Sequence, residues 1–160
     1  MSAAFFWAGS DVLDGDHNPN YWMPFNKSVP LDVRVTQVLK WLDLPADRRP
    51  AFTALYSNEP DFSGHLYGPQ HPMVTAAVAS VDAQVKNLVQ GLIDRNIWGC
   101  VNLIVVSDHG MTRSEEPIDL KQYLSDLEES ARVFYGPVTT IQPVDSSPSG
   151  YQQSPTILLP

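Results

Sequence analysis

Val101-Asn102-Leu103-Ile104-Val105-Val106-Ser107-Asp108-His109-Gly110 decides how this chain is read. Its first six residues are rich in β-branched side chains and almost continuously apolar, the pattern of a strand covered on both faces of a parallel sheet. An ionisable pair follows at once, in a position where burial is costly without partners, so Asp108 and His109 are read as metal-binding or catalytic. Upstream, Pro72 opens a long helix with Val74, Val78, Val81, Val85, Leu88, Val89 and Leu92 along one stripe, closing between Asn96 and Gly99. Before it, Ala51 to Tyr56 reads as a short buried strand between Pro50 and the polar Ser57-Asn58-Glu59-Pro60. Strand, helix, strand is a βαβ unit, whose right-handed crossover leaves the strands parallel. The expected class is therefore α/β, a parallel sheet with flanking helices. Asp61 and His65 follow the first strand and Asp108 and His109 the second, which brings both groups to the carboxyl edge of one sheet, where open α/β sheets bind ligands.

Further out, Val29 to Leu44 has a helical pattern, with Pro30 in the first turn and Leu31, Val35, Val38, Leu39 and Leu42 recurring before Pro45. Beyond the deciding stretch lie a short element at Ile118 to Leu124 and a strand-like Arg132-Val-Phe-Tyr135. From Pro137 onward, Pro143, Pro148, Pro155 and Pro160 stand among Ser, Gln and Thr without a sustained period, and an extended or disordered tail is expected. The reading divides the chain into residues 1–136, part of a catalytic domain, and a tail at 137–160.

At 160 residues the chain has the length of about one domain and can bury a substantial core. A hydrophobic share of 43% with 18% charged residues argues that most of it folds. A net charge of -8 argues against binding duplex nucleic acid, which needs clustered Lys and Arg, and means that an anionic substrate requires a local cation. No stretch has the length of a transmembrane segment and no targeting segment is recognisable. Asn26-Lys27-Ser28 is a sequon suited to a glycan in a secreted protein. Cys100 is single and is expected to be a small buried hydrophobe beside a strand; in an extracellular protein its partner would lie outside this sequence.

Asp and His together offer a hard oxygen and an imidazole nitrogen, a set suited to zinc, with manganese or iron as competitors. Four such residues at one sheet edge point to a two-metal site. Taken alone, Asp61 and His65 read more simply as a turn aspartate and a loop histidine. His17 and His71 lack a comparable setting and are expected at the surface. Phe5-Phe6-Trp7 reads first as core packing, with stacking on a ligand as the functional alternative.

Four stretches, in order, resemble the ectonucleotide pyrophosphatase/phosphodiesterase family of the alkaline phosphatase superfamily. They are Phe5 to Val12, Asn26 to Pro30, Tyr56 to Pro69 and Asn102 to Met111. The resemblance covers roughly residues 1–145 and implies a partial alkaline-phosphatase-like fold. It further implies two Zn2+, one ligated by Asp61 and His65 and the other by Asp108 and His109. Trp7, Asp11, Phe25 and Tyr56 would lie near a nucleotide or other phosphodiester substrate. Phe25 stands where relatives often carry a tyrosine that stacks on a nucleobase, and Ala8 replaces a usual proline. The family's nucleophilic threonine or serine, the aspartate beside the second zinc and one further zinc histidine are not recognisable. A two-zinc centre with open positions needs about six protein ligands, so this chain is expected to be a fragment, nearly inactive alone. By the same resemblance the protein is a glycosylated hydrolase outside the cytoplasm, secreted or membrane-anchored. The competing readings are a non-catalytic binding module derived from the family, and a phosphomutase or sulfatase of the same superfamily.

Overall fold

The computed structural model describes residues 1–12, 17–114, 119, 131–134, 139–145 and 147, in two units, Met1–Arg113 and Ser114–Pro160. The first unit is built on a three-stranded parallel sheet of β1 (Ser2–Phe5), β2 (Tyr21–Met23) and β3 (Phe52–Leu55), in the order β2-β1-β3. Ala3 lies opposite Tyr21 on one side and Thr53 on the other, so β1 is paired along both edges. A further bond, from the Tyr56 amide to the Phe5 carbonyl at 3.0 Å, carries the β1–β3 pairing one residue past the strand ends. The mixed α/β class with a parallel sheet is as expected, and β3 is the strand predicted at Ala51 to Tyr56, but its partners β1 and β2 were not foreseen. All three strands of this sheet come from the N-terminal third of the chain.

Helix α1 (Leu31–Leu42) is the predicted helix, shortened by two residues at each end. Pro30 is its N-cap rather than its first turn, Asp32 near the start and Lys40 near the end complement the helix dipole, and Val35, Val38 and Trp41 are buried. Trp41 joins α1 to the sheet, its ring centroid 5.9 Å from Phe5 and 6.1 Å from Tyr21. Ala3, Phe5, Phe6, Val38 and Trp41 form the core, with Leu55 and Leu88 packed against it. The short α2 (Asp61–Tyr67) was not expected. The predicted long helix is α3 (Pro72–Asp94), with Pro72 in its first turn and His71 as N-cap, its Nδ1 accepting the Met73 amide at 3.2 Å. Gly91 lies at the crossing of α1 and α3, where a Cβ would overlap the Leu39 side chain, so the close approach of the helices depends on its absence.

Three expectations are corrected. Residues 101–106 do not form a strand: Ile104, Val105 and Val106 are 79%, 70% and 71% exposed. An apolar run of this kind becomes a buried strand only where a neighbouring strand and a covering layer meet it, and among the described residues none does. Cys100 is exposed rather than buried, because it closes the 3-10 turn α4 (Trp98–Cys100) ahead of that uncovered run. Asp61 and His65, read singly as turn and loop residues, are helical. In the second unit the predicted strand is β4 (Ala131–Phe134), paired antiparallel with β5 (Thr140–Pro143). Within the expected tail, residues 140–143 are thus a paired strand. The element foreseen at Ile118 to Leu124 falls outside the described residues, apart from Asp119.

Candidate metal and substrate site

The carboxyl ends of all three parallel strands open into one cleft of about 340 Å³, lined by Phe6, Trp7, Ala8, Ser10, Asp11, Met23, Phe25, Tyr56 and Asp108. The turn after β1 supplies Phe6 to Asp11, the end of β2 supplies Met23 and Phe25, and the residue after β3 supplies Tyr56. Trp7, Asp11, Phe25 and Tyr56, the four residues expected near substrate, therefore share one cavity with the metal candidate Asp108. The Phe25 ring meets Phe6 edge-on at 5.5 Å and Tyr56 at 6.0 Å, while half of its own surface stays open. Such a wall suits a flat apolar group. Among the described residues that line it, Asp11 and Asp108 are the charged ones.

The four ligand candidates are present as two pairs. On α2, Asp61 and His65 stand four residues apart, on one helix face, with His65 Nε2 3.4 Å from Asp61 Oδ1. Pro60 precedes the helix, and the Glu59 carboxylate accepts the Ser63 amide at 3.1 Å, which caps its first turn. In the second pair, His109 Nε2 lies 3.4 Å from Asp108 Oδ2. His109 Nδ1 is 2.9 Å from the Gly110 carbonyl, which can only accept, so that nitrogen donates, and in the neutral ring Nε2 is left with the lone pair. This hydrogen bond, then the Asp108 and Asp61 charges, raise the His109 pKa above its ordinary value.

The two pairs are neighbours. The Asp61 charge reaches His109, and the buried Gly64 of α2 packs against the Met111 thioether, where a Cβ would overlap the sulfur. They are nonetheless not one cluster, since among the described residues no three of His, Cys, Asp and Glu converge as a metal group. Asp61 shows how the donor set suits a cation. Its side chain is 44% exposed as a whole, yet its Oδ1 is covered and has no hydrogen-bond partner. A covered, unpartnered carboxylate oxygen beside an imidazole nitrogen fits a cation.

His17 and His71 are exposed, as expected, although His71 also stacks on Tyr67 at 5.1 Å and caps α3. Asn26 is exposed in the turn between β2 and α1, its Oδ1 accepting the Ser28 amide at 3.0 Å. Ser10 and Met23 as cleft residues escaped the sequence reading, as did Arg34 against the Phe6 ring, while Phe6 itself was read first as core with ligand stacking as the alternative. Arg34 sits among the apolar residues of α1, and an arginine on that face is the signal that could have marked it.

Parallel strands that deliver their carboxyl ends to one aromatic cleft make this an α/β protein with its site at the sheet edge. The chain belongs to the type I phosphodiesterase/nucleotide pyrophosphatase family, whose model matches residues 1–154. It is 44% identical over 146 residues to human ectonucleotide pyrophosphatase/phosphodiesterase family member 1, covering 90% of this chain and 16% of that protein. Venom phosphodiesterase 2 of Crotalus adamanteus is 41% identical over 143 residues, 88% of this chain and 17% of the relative. The solved structure of an inactive murine ectonucleotide pyrophosphatase/phosphodiesterase 5 in complex with AMP superimposes with a TM-score of 0.77 at 34% identity, covering 94% of this chain and 40% of that one. The chain thus spans about one sixth of the length of these curated relatives.

Proposed function

We propose that this chain carries the substrate cleft and two of the metal-binding pairs of a zinc-dependent nucleotide pyrophosphatase/phosphodiesterase. The observation that carries the reading is the single cleft holding Trp7, Asp11, Phe25, Tyr56 and Asp108. The aromatic wall would take the flat end of a nucleotide. Among the described residues two carboxylates and no basic side chain line the cleft, so a phosphate would enter only against a compensating cation. Asp61 with His65, and Asp108 with His109, are the residues that would hold it. Bound there, zinc supplies positive charge toward phosphate oxygens and Lewis acidity toward an attacking oxygen. His109 would present Nε2, because Nδ1 is tied to Gly110.

The substrate class is a nucleotide or related small phosphodiester, in keeping with AMP in the murine structure. No nucleophilic threonine or serine is recognised in this sequence, so the chain by itself is a binding half-site with little turnover. An ectoenzyme and venom enzymes among the relatives support a protein outside the cytoplasm, carrying a glycan on Asn26. Among the described residues no helix is long and apolar enough to cross a membrane.

The test combines zinc stoichiometry, AMP titration and hydrolysis of a p-nitrophenyl nucleotide ester by the 160-residue chain. Zinc and AMP binding with negligible turnover is the expected result. Robust turnover would refute the half-site, and binding of neither ligand would refute the metal and nucleotide reading. Mass analysis of material from a native source would reveal the glycan or its absence.

A further inference from the structure

One buried cation belongs to neither Asp–His pair. Arg34, in the first turn of α1, is 3% exposed. Its guanidinium donates from Nε to the Val29 carbonyl at 2.9 Å, from Nη1 to the Tyr56 carbonyl at 3.0 Å and from Nη2 to Asn58 Oδ1 at 3.0 Å. Its Cζ lies 4.8 Å from the centroid of the Phe6 ring. None of these partners is a carboxylate, and a buried charge without a counter-charge is costly, so a leucine would suit the core face of α1 better if packing were all that mattered.

What Arg34 touches suggests why it is there. Phe6 and Tyr56 are walls of the cleft. Phe6 also holds a backbone φ of 63°, in the left-handed region that a bulky side chain enters only when its surroundings impose it. Asn58 leads into α2, its carbonyl accepting the Phe62 amide at 3.0 Å beside Asp61. A planar guanidinium can serve these directions at once; a lysine ammonium, a point charge on a flexible stem, cannot.

We propose that Arg34 is a positioning residue of this site, its fork fixing Phe6 and Tyr56 as the cleft wall and the Asn58 turn from which α2 carries Asp61. The proposal rests on the nucleotide and metal reading above for its consequences, and on the geometry around Arg34 for its cause.

The experiment compares the chain with its Arg34→Lys and Val38→Ala variants. Val38 is buried on the same helix, in the core that Phe6 shares, but lines neither the cleft nor the pairs, so it controls for loss of core packing and stability. Tryptophans are labelled with 5-fluorotryptophan and the Trp7 resonance is assigned with Trp7→Phe. AMP is titrated by that resonance, zinc by calorimetry, and amide exchange at Phe62 is followed in the free chain. Val38→Ala should lower the melting temperature yet leave both dissociation constants within about twofold. Arg34→Lys should raise both on the order of tenfold, move the Trp7 resonance and speed exchange at Phe62. Asn58→Ala removes one acceptor of the fork and should act in the same direction, which keeps the test open if Arg34→Lys does not fold. Equal effects of Arg34→Lys and Val38→Ala at equal loss of melting temperature would overturn the proposal. If the parent binds neither AMP nor zinc, the functional reading fails by itself. The free-chain readouts then decide: a change confined to the Arg34 and Asn58 variants supports positioning, and no change refutes it.

Discussion

Asp61 brings the site down to one atom, a carboxylate oxygen that is covered and unpartnered. Removing its charge should therefore matter little without metal and abolish a stabilisation with it. In the metal-free chain Asp61→Asn should change stability by less than about 1 kcal/mol, because Oδ1 accepts no hydrogen bond and its 3.4 Å contact with His65 is a surface pair. With zinc in excess the parent should gain thermal stability by mass action and the variant should not. Unfolding scans with zinc and with a chelator test this, and a large loss in the chelated variant would show that the oxygen already has a structural partner. Phe25→Ala should weaken AMP binding about tenfold or more, since base–aromatic stacking is worth roughly 1–3 kcal/mol. Titration of parent and variant reads it, and an unchanged dissociation constant would remove Phe25 from the cleft's binding wall. These positions were legible as residue types: a four-residue spacing of Asp and His, and a cluster of aromatics near the N-terminus. Burial at the level of one atom was not, because the cover over Oδ1 comes from folding and leaves no mark in the spacing.

Helices α1 and α3 were legible from their apolar stripes, whereas β1, β2 and α2 were not. Strand β1 is Ser2-Ala3-Ala4-Phe5, poor in β-branched residues, and owes its place to pairing on both edges. Strand β2 is three residues long. Helix α2 is masked by Gly64, which weakens helical propensity yet is required by the Met111 contact. A comparable constraint acts at Gly91. Gly91→Ala should cost about 1–3 kcal/mol by overpacking against Leu39. In a double-mutant cycle Leu39→Ala should recover part of that loss, whereas additive losses would mean that the helices shift apart instead. The ends of the same helices are tied by Arg95, which meets both Asp43 carboxylate oxygens at 2.7 and 2.8 Å. The hydrogen bond from Arg95 holds the Asp43 pKa below its ordinary value, so its stabilisation is present above the unfolded carboxylate pKa and is lost as pH falls through the folded one. Asp43→Asn should thus lower the melting temperature slightly at neutral pH, by no more than about 1 kcal/mol for so exposed a pair. The two melting curves should converge as pH falls below the ordinary carboxylate range, and a gap that persists in acid would point to packing rather than charge.

For the molecule as a whole, the pattern that best announced the fold class is the one that the fold does not use as announced. The parallel sheet forms from β1, β2 and β3, while residues 101–106 stay largely uncovered. Periodicity reports what a segment can bury, and only neighbours determine whether it does. Asp108 nevertheless reaches the cleft, because the turn after this run packs through Met111 onto Gly64 of α2. The same logic hides β5, whose partner β4 lies across a stretch with no clear pattern of its own. The exposed run of five residues at 102–106, apolar but for Asn102 and without charge, is a segment prone to intermolecular strand pairing. Ile104→Lys should therefore raise the concentration at which the chain begins to associate in sedimentation velocity, while leaving its melting temperature within a degree or two of the parent's. The second half of that outcome is the discriminating one. In a strand covered on both faces, a lysine at this position would cost several kcal/mol and move the transition by about ten degrees or more. A large drop in melting temperature would thus place Ile104 inside the core, and an unchanged one would leave the helix-packed parallel sheet of residues 2–55 as the source of the chain's stability.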